Sequence, residues 1–368
     1  MKKRLLLLFP LLLLFLFLPL TASAATAPEE YLDALWQGLP SLAREALPSD
    51  PADTAAIQEA VGVRHLFETV LSGLSGATPA TVSTLLTLLG VTLFFALLAR
   101  LREGLGAGVT RAADAALGAA LVLLAYDRFL GAFDRAAAYL SDLQTLAGVS
   151  APVMGGLLVA GGNAATAAST GGAMAALSLL LEYLGGAALL PLLRIQLGFL
   201  LVSAIGEVKT DGVVATLRSL YLTVVGFFCM LITAAQAFGN AIGSAGDSLS
   251  LRTMRFAVGQ MVPIVGGTVS GSLGTALASV ALVRSVAGTS VAVAVLLPLI
   301  PVVVELLLSR FALSLLASAA GLLGAATPQR LFRSFRALFD LVLGAVVFSG
   351  LLFLFIAAAF ARCAPAVL

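Results

Sequence analysis

Residues 1–24 read MKKRLLLLFPLLLLFLFLPLTASA: a charged start of Lys2, Lys3 and Arg4, an apolar run from Leu5 to Leu20, then Ala22-Ser23-Ala24. That succession is a secretory signal. The run of about 16 apolar residues falls short of the roughly 20 that a helix needs to cross a bilayer, and an Ala-x-Ala site follows it. Cleavage is expected after Ala24. The remainder therefore begins on the outer face of a membrane, which sets the direction of every later crossing.

Composition extends the reading to the whole chain. Of 368 residues 60% are hydrophobic and 11% charged, and the mean hydropathy is +1.07, whereas a soluble domain carries roughly 25% charged residues. This is an integral membrane protein of the all-α class, a polytopic helical bundle of about eight membrane segments. A net charge of +2 with scattered bases argues against nucleic acid as a partner. Cys229 and Cys363 are too few and too differently placed for a disulfide framework or zinc site, and His65, the sole histidine, precedes the spans. No metal and no cofactor is expected. The 36 glycines suit helices that approach closely in lipid.

Residues 25–78 are the one stretch of soluble character, a small acidic segment expected outside the cytoplasm. Leu32, Leu35, Trp36, Leu39 and Leu42 recur there at helical spacing. Residues 79–126 carry the first two transmembrane helices, at about 80–99 and 112–126, with Arg100, Arg102 and Arg111 marking the cytoplasmic side. Residues 127–149 form an amphipathic helix, with Leu130, Phe133, Ala137 and Leu140 on one face and Asp127, Arg128, Asp134, Arg135 and Asp142 around it. Arg330, Arg333 and Arg336 place the loop before the last helix in the cytoplasm. Lys209 and Arg218 lie one apparent span from Arg252 and Arg255, so both ends of that span are basic.

The rest divides into two membrane repeats, 150–240 and 241–368. Pro152-Val-Met-Gly155-Gly156 recurs as Pro263-Ile-Val-Gly266-Gly267. Leu189-Leu190-Pro191-Leu192-Leu193 recurs as Leu296-Leu297-Pro298-Leu299-Ile300, and Leu217-Arg218-Ser219-Leu220 as Phe332-Arg333-Ser334-Phe335. Such duplications place two half-bundles about an axis, with interrupted helices where they meet. Proline removes a backbone donor and adjacent glycines permit unusual dihedrals, and in lipid a break of that kind persists only against protein or a water-filled cavity. Pro152, Gly155, Gly156, Pro191, Pro263, Gly266, Gly267 and Pro298 are accordingly the candidate helix breaks lining a path. Tight packing through small residues serves as the plainer explanation.

Ionisable residues in apolar context are Glu182, Arg194, Arg284, Glu305 and Arg310. Glu305, between Val302–Val304 and Leu306–Leu308, is the best candidate for a buried carboxylate. There is no Walker loop, no His-Glu-x-x-His and no Ser/His pair, so no enzymatic activity is expected.

The run Asp247-Ser248-Leu249-Ser250-Leu251-Arg252-Thr253-Met254-Arg255-Phe256, with Pro263–Gly267, Ser270, Val283–Gly288 and Pro298, resembles the core of the stage III sporulation protein AE family. The family pattern has acids shortly after Ser270, where this chain carries Gly271, Ser272, Gly274 and Thr275. The resemblance implies a multi-pass subunit of the channel-like complex between mother cell and forespore during endospore formation. It would lie in the mother-cell membrane around the forespore, with residues 25–78 facing the intermembrane space. Its partners would be other proteins of that complex, including a secretion-ATPase-like protein that supplies the energy this chain lacks. An autonomous secondary transporter is the alternative that the duplication and interrupted helices equally allow.

Overall fold

The computed structural model describes residues 33, 35–37, 39, 63–101, 107–184, 189–205, 211–261 and 266–362. The signal segment and Pro263 lie outside these residues, as does most of the acidic segment. Among the described residues there is no strand. The described residues include seven long helices: α1 (Val63–Leu101), α2 (Ala107–Ala160), α3 (Ala164–Glu182), α4 (Leu189–Ile205), α5 (Asp211–Met261), α6 (Gly266–Leu322) and α7 (Ala326–Arg362). Six contain a stretch long and apolar enough to cross a membrane, while the apolar part of α4 is shorter.

Two hairpins are closed by the same device. At the end of α2, Gly162 takes φ 79°, its N–H donates to the Val159 carbonyl, and the Asn163 N–H reaches back to Leu158 at 2.8 Å. At the end of α6, Gly324 takes φ 72°, with Gly324 N–H bonded to Gly321 and Ala325 N–H to Ala320 at 2.9 Å. These are Schellman caps, in which glycine occupies the left-handed position and the last carbonyls are satisfied without water. Pro328 sits in the first turn of α7, where a missing N–H costs nothing.

The contacts fix how the helices run. Arg310 meets Asp340, Leu299 meets Gly350 and Gly288 meets Ala361, so α6 and α7 are antiparallel. Gly118 meets Thr327 and Tyr139 meets Gly350, so α2 runs parallel to α7. Arg218 meets Asp340 and Leu222 meets Gly344, so α5 does too. Gly243 lies on Thr166 and Gly239 on Ser169, which sets α3 antiparallel to α5. The inner face of α7 carries Phe332, Phe335, Phe339, Phe353 and Phe360, all fully buried, at the i, i+3/i+4 spacing of a core-facing helix. Phe339 packs against Phe129 and Phe133 of α2 at 5.0 and 4.9 Å between ring centroids. From the acidic segment, Leu35 and Leu39 are buried in the same core.

Several expected divisions are fused. The second span, the amphipathic segment and the first Pro-x-x-Gly-Gly element all belong to α2, a continuous helix of 54 residues. Charged residues at 127–142 do not interrupt it, since Arg and Asp are tolerated within helices. Residues 286–322 of the second expected repeat are similarly continuous within α6, which has 57 residues. At about 1.5 Å per residue these helices are about 80 and 86 Å long, more than twice a hydrocarbon core of about 30 Å. The basic residues at both ends of one apparent span find a reason here. Arg218 and Arg252 lie on the single helix α5 of 51 residues, about 50 Å apart along its axis.

Candidate functional site

Pro152 and Pro298 do not interrupt the helices that contain them. Pro152 is exposed on α2, which continues through half-buried Gly155 and Gly156 to Ala160. A side chain added at Gly155 would meet no atom within 4 Å. Pro298 is buried in the interior of α6, and Pro191 is the third residue of α4 and exposed. Gly266 and Gly267 are the first residues described in α6, and residues 262–265 lie outside the described residues. A proline removes one backbone bond and bends a helix, and flanks held by neighbouring helices carry the chain through. The real interruption follows Pro152 at Gly161-Gly162-Asn163, where Asn163 precedes α3 with its side chain making no cap bond. Of the matched segments, Leu189–Leu193 lies in the first turn of α4 and Leu296–Ile300 in the interior of α6, while Leu217–Leu220 and Phe332–Phe335 take the same early position in α5 and α7.

Close approach occurs elsewhere. A Cβ on Gly243 would stand 2.8 Å from the Thr166 backbone nitrogen, and one on Gly239 would stand 2.5 Å from Ser169 Cβ. The four-residue spacing puts both glycines on one face of α5, which allows α3 to touch it almost backbone to backbone. One turn earlier the buried Gln236 donates through Nε2 to Thr170 Oγ1 at 3.3 Å. Hydroxyls in the bundle also bond within their own helices, as Thr92 does to Leu88 and Ser290 to Val286, which is how helices satisfy polar groups away from water.

Charges converge at one level of the bundle. Glu305, whose side chain is 17% exposed, pairs with Arg135 of α2, whose side chain is 59% exposed, and Arg135 Nε donates to Glu305 Oε2 at 2.6 Å. Asp340 of α7 accepts from Arg310 Nε of α6 and from Arg218 of α5 at 3.3 Å. The candidate carboxylate Glu305 is therefore neutralised across two helices and Asp340 across three. Deeper toward the start of α7, Arg330 donates to the Ser203 carbonyl of α4 at 2.8 Å. Of the other ionisable candidates, Glu182 and Arg194 are exposed, and the side chain of Arg284 lies outside the described residues. Asp340 and Arg135 were not singled out from sequence. Asp340 sits in Leu338-Phe339-Asp340-Leu341-Val342, the same apolar framing that drew attention to Glu305. Arg135 had no comparable signal, because its neighbours are charged.

The arrangement can neutralise charge, join four helices and define a level along the bundle axis. Among the described residues no cluster of three or more His, Cys, Asp or Glu could hold a metal ion. No curated protein and no solved structure matches the chain. The family model for stage III sporulation protein AE matches residues 54–364, and with most of its length accounted for in this way the chain belongs to the stage III sporulation protein AE family.

Proposed function

We propose that the protein is a non-enzymatic subunit of a channel-like transport or secretion complex between mother cell and forespore. In this reading it lies in the mother-cell membrane around the forespore, residues 25–78 face away from the cytoplasm, and a secretion-ATPase-like partner supplies energy. Membership of a stage III sporulation family supports the setting. The height of the apolar surface supports the subunit role.

The stretch Val286–Leu322 of α6 has 37 residues, its most apolar 18-residue window has a mean hydropathy of 2.7, and only Glu305 and Arg310 are charged. It is about 55 Å long, and fitting it into about 30 Å of hydrocarbon would need a tilt of about 57°, beyond the 0–40° found for membrane helices. Large apolar side chains are exposed on both sides of the charged level. Phe227, Phe348 and Phe355 lie toward the C-terminal end of α7, and Leu123, Leu315 and Leu322 toward its start. From Leu322 to Phe355 the exposed apolar surface extends about 40 Å along the bundle, beyond the hydrocarbon core of about 30 Å. An apolar surface left outside lipid needs protein against it, as a subunit has and a free-standing carrier lacks.

Reconstitution into liposomes tests this. The purified chain should move no solute under an imposed ion gradient, and gradient-driven uptake by it alone would favour a secondary transporter. In sporulating cells, Gly266→Leu and Gly267→Leu should each reduce spore yield if the start of α6 lies at the transport path. Full yield from both would remove those glycines from the proposal.

A further inference from the structure

The outward face of α7 changes character at one residue. Arg333, Arg336 and Asp340 follow each other at helical spacing and are exposed or half-buried, and the same stripe continues through Gly344, Phe348, Leu351 and Phe355. From Leu341 to Ala361 there is no charge, a length of about 31 Å, which is one hydrocarbon core. In α5 the change falls at the same level: Arg218, beside Asp340, is followed by the exposed Leu220, Phe227, Met230 and Phe238. On α5 and α7 the change from charged to apolar surface thus falls at one height, and on α2 Asp134, Arg135 and Asp142 lie beyond it.

At that boundary the charges do not balance. Arg218 and Arg310 share the single carboxylate of Asp340. Arg336 stands one turn from Asp340 on the same face and Arg333 two turns away, and among the described residues neither has an acidic partner. Two guanidinium groups from α5 and α6 therefore pair with one acid, and two more stand one and two turns before it on α7. Guanidinium presents paired donors that match phosphate oxygens, and at this height the abundant phosphates are those of lipid headgroups. We propose that Arg218, Arg310, Arg333 and Arg336 form a binding site for the phosphodiester of an anionic phospholipid. The leaflet is the one at the N-terminal end of α7, cytoplasmic by the positive-inside rule. Asp340 keeps Arg218 and Arg310 in place and lowers the positive charge of the site. The proposal rests on placing the boundary here and holds whether or not the chain serves a channel complex.

Native mass spectrometry of the full chain in detergent, titrated with phosphatidylglycerol or phosphatidylcholine of identical acyl chains, tests it. The wild type should retain phosphatidylglycerol preferentially. Arg333→Gln with Arg336→Gln breaks no ion pair of the bundle and should lower that preference by about tenfold to thirtyfold, from about 1 kcal/mol per basic residue. Asp340→Asn should raise it. Equal retention of the two lipids by the wild type, or an unchanged preference in the double variant, would overturn the site, as would a preference in Asp340→Asn no higher than in wild type. Displacement of phosphatidylglycerol by millimolar inorganic phosphate would reassign the site to a free anion and overturn the lipid.

Discussion

Asp340 ties three helices together with one side chain, and its removal leaves Arg218 and Arg310 facing each other without the charge that holds them. Its side chain is 22% exposed, so solvent screens part of the interaction. Asp340→Ala is expected to cost about 2 kcal/mol, below the range for a fully buried pair losing one partner. Thermal unfolding in detergent measures it, and a midpoint equal to wild type would mean that the guanidinium groups need no such anchor. The Glu305 pair belongs to a weaker class because Arg135 is largely exposed. A double-mutant cycle with Glu305→Gln and Arg135→Gln should return a coupling of about 1 kcal/mol or less. If spore yield falls in Glu305→Gln and stays low when Arg135→Gln is added, Glu305 does more than neutralise Arg135. Sequence framing was sufficient to find Glu305, because a carboxylate between valines and leucines is anomalous by itself. Its partner lies 170 residues away, and no local pattern encodes that distance.

Among the elements, the α3–α5 crossing depends most directly on missing atoms. Gly243→Ala would drive a methyl into the Thr166 backbone nitrogen, which cannot rotate aside, while Gly239→Ala meets the β-carbon of Ser169. Each should cost about 1–3 kcal/mol as overpacking, read as lost thermal stability. Ser169→Gly removes the atom that Gly239→Ala strikes and should restore much of the loss, whereas Gly226→Ala, with no atom within 4 Å, should be near neutral. Equal effects at Gly226 and Gly239 would mean that helix propensity, not contact, governs both. These glycines are also where reading the sequence met its limit. Proline and paired glycines signal a local change in backbone preference, yet Pro152 and Pro298 are accommodated within helices. The breaks at Gly162 and Gly324 carry the glycine-after-apolar-run signature of a helix C-cap. That the membrane part of the chain is helical is legible in its composition, and the described residues are helical nearly throughout. That α2 would absorb three expected segments is not legible there, because hydropathy windows report lipid immersion and not helix continuity.

For the molecule as a whole, the deciding quantity is height. α6 alone offers about 55 Å of apolar helix to a bilayer that covers about 30 Å, and the charged level at Asp340 divides its surroundings into two apolar bands. With the boundary there, the bilayer covers the band toward the C-terminal end of α7, and the other band, with Leu315 on α6, stands outside lipid. Single cysteines report on this directly once Cys229 and Cys363 are replaced by Ser. In liposomes holding the chain alone, Phe355→Cys should be shielded from a membrane-impermeant maleimide, while Leu315→Cys should react from the side bearing the α7 N-terminus, since both side chains face outward in the free bundle. In sporulating cells opened on that side, Leu315→Cys should lose its reactivity, and deletion of the rest of the complex should restore it. Shielding of Leu315→Cys in liposomes would put the bilayer on the opposite band and move the lipid boundary with it. Reactivity in cells that is indifferent to the other proteins would leave the second apolar band uncovered, and the subunit role would lose the physical need that argues for it.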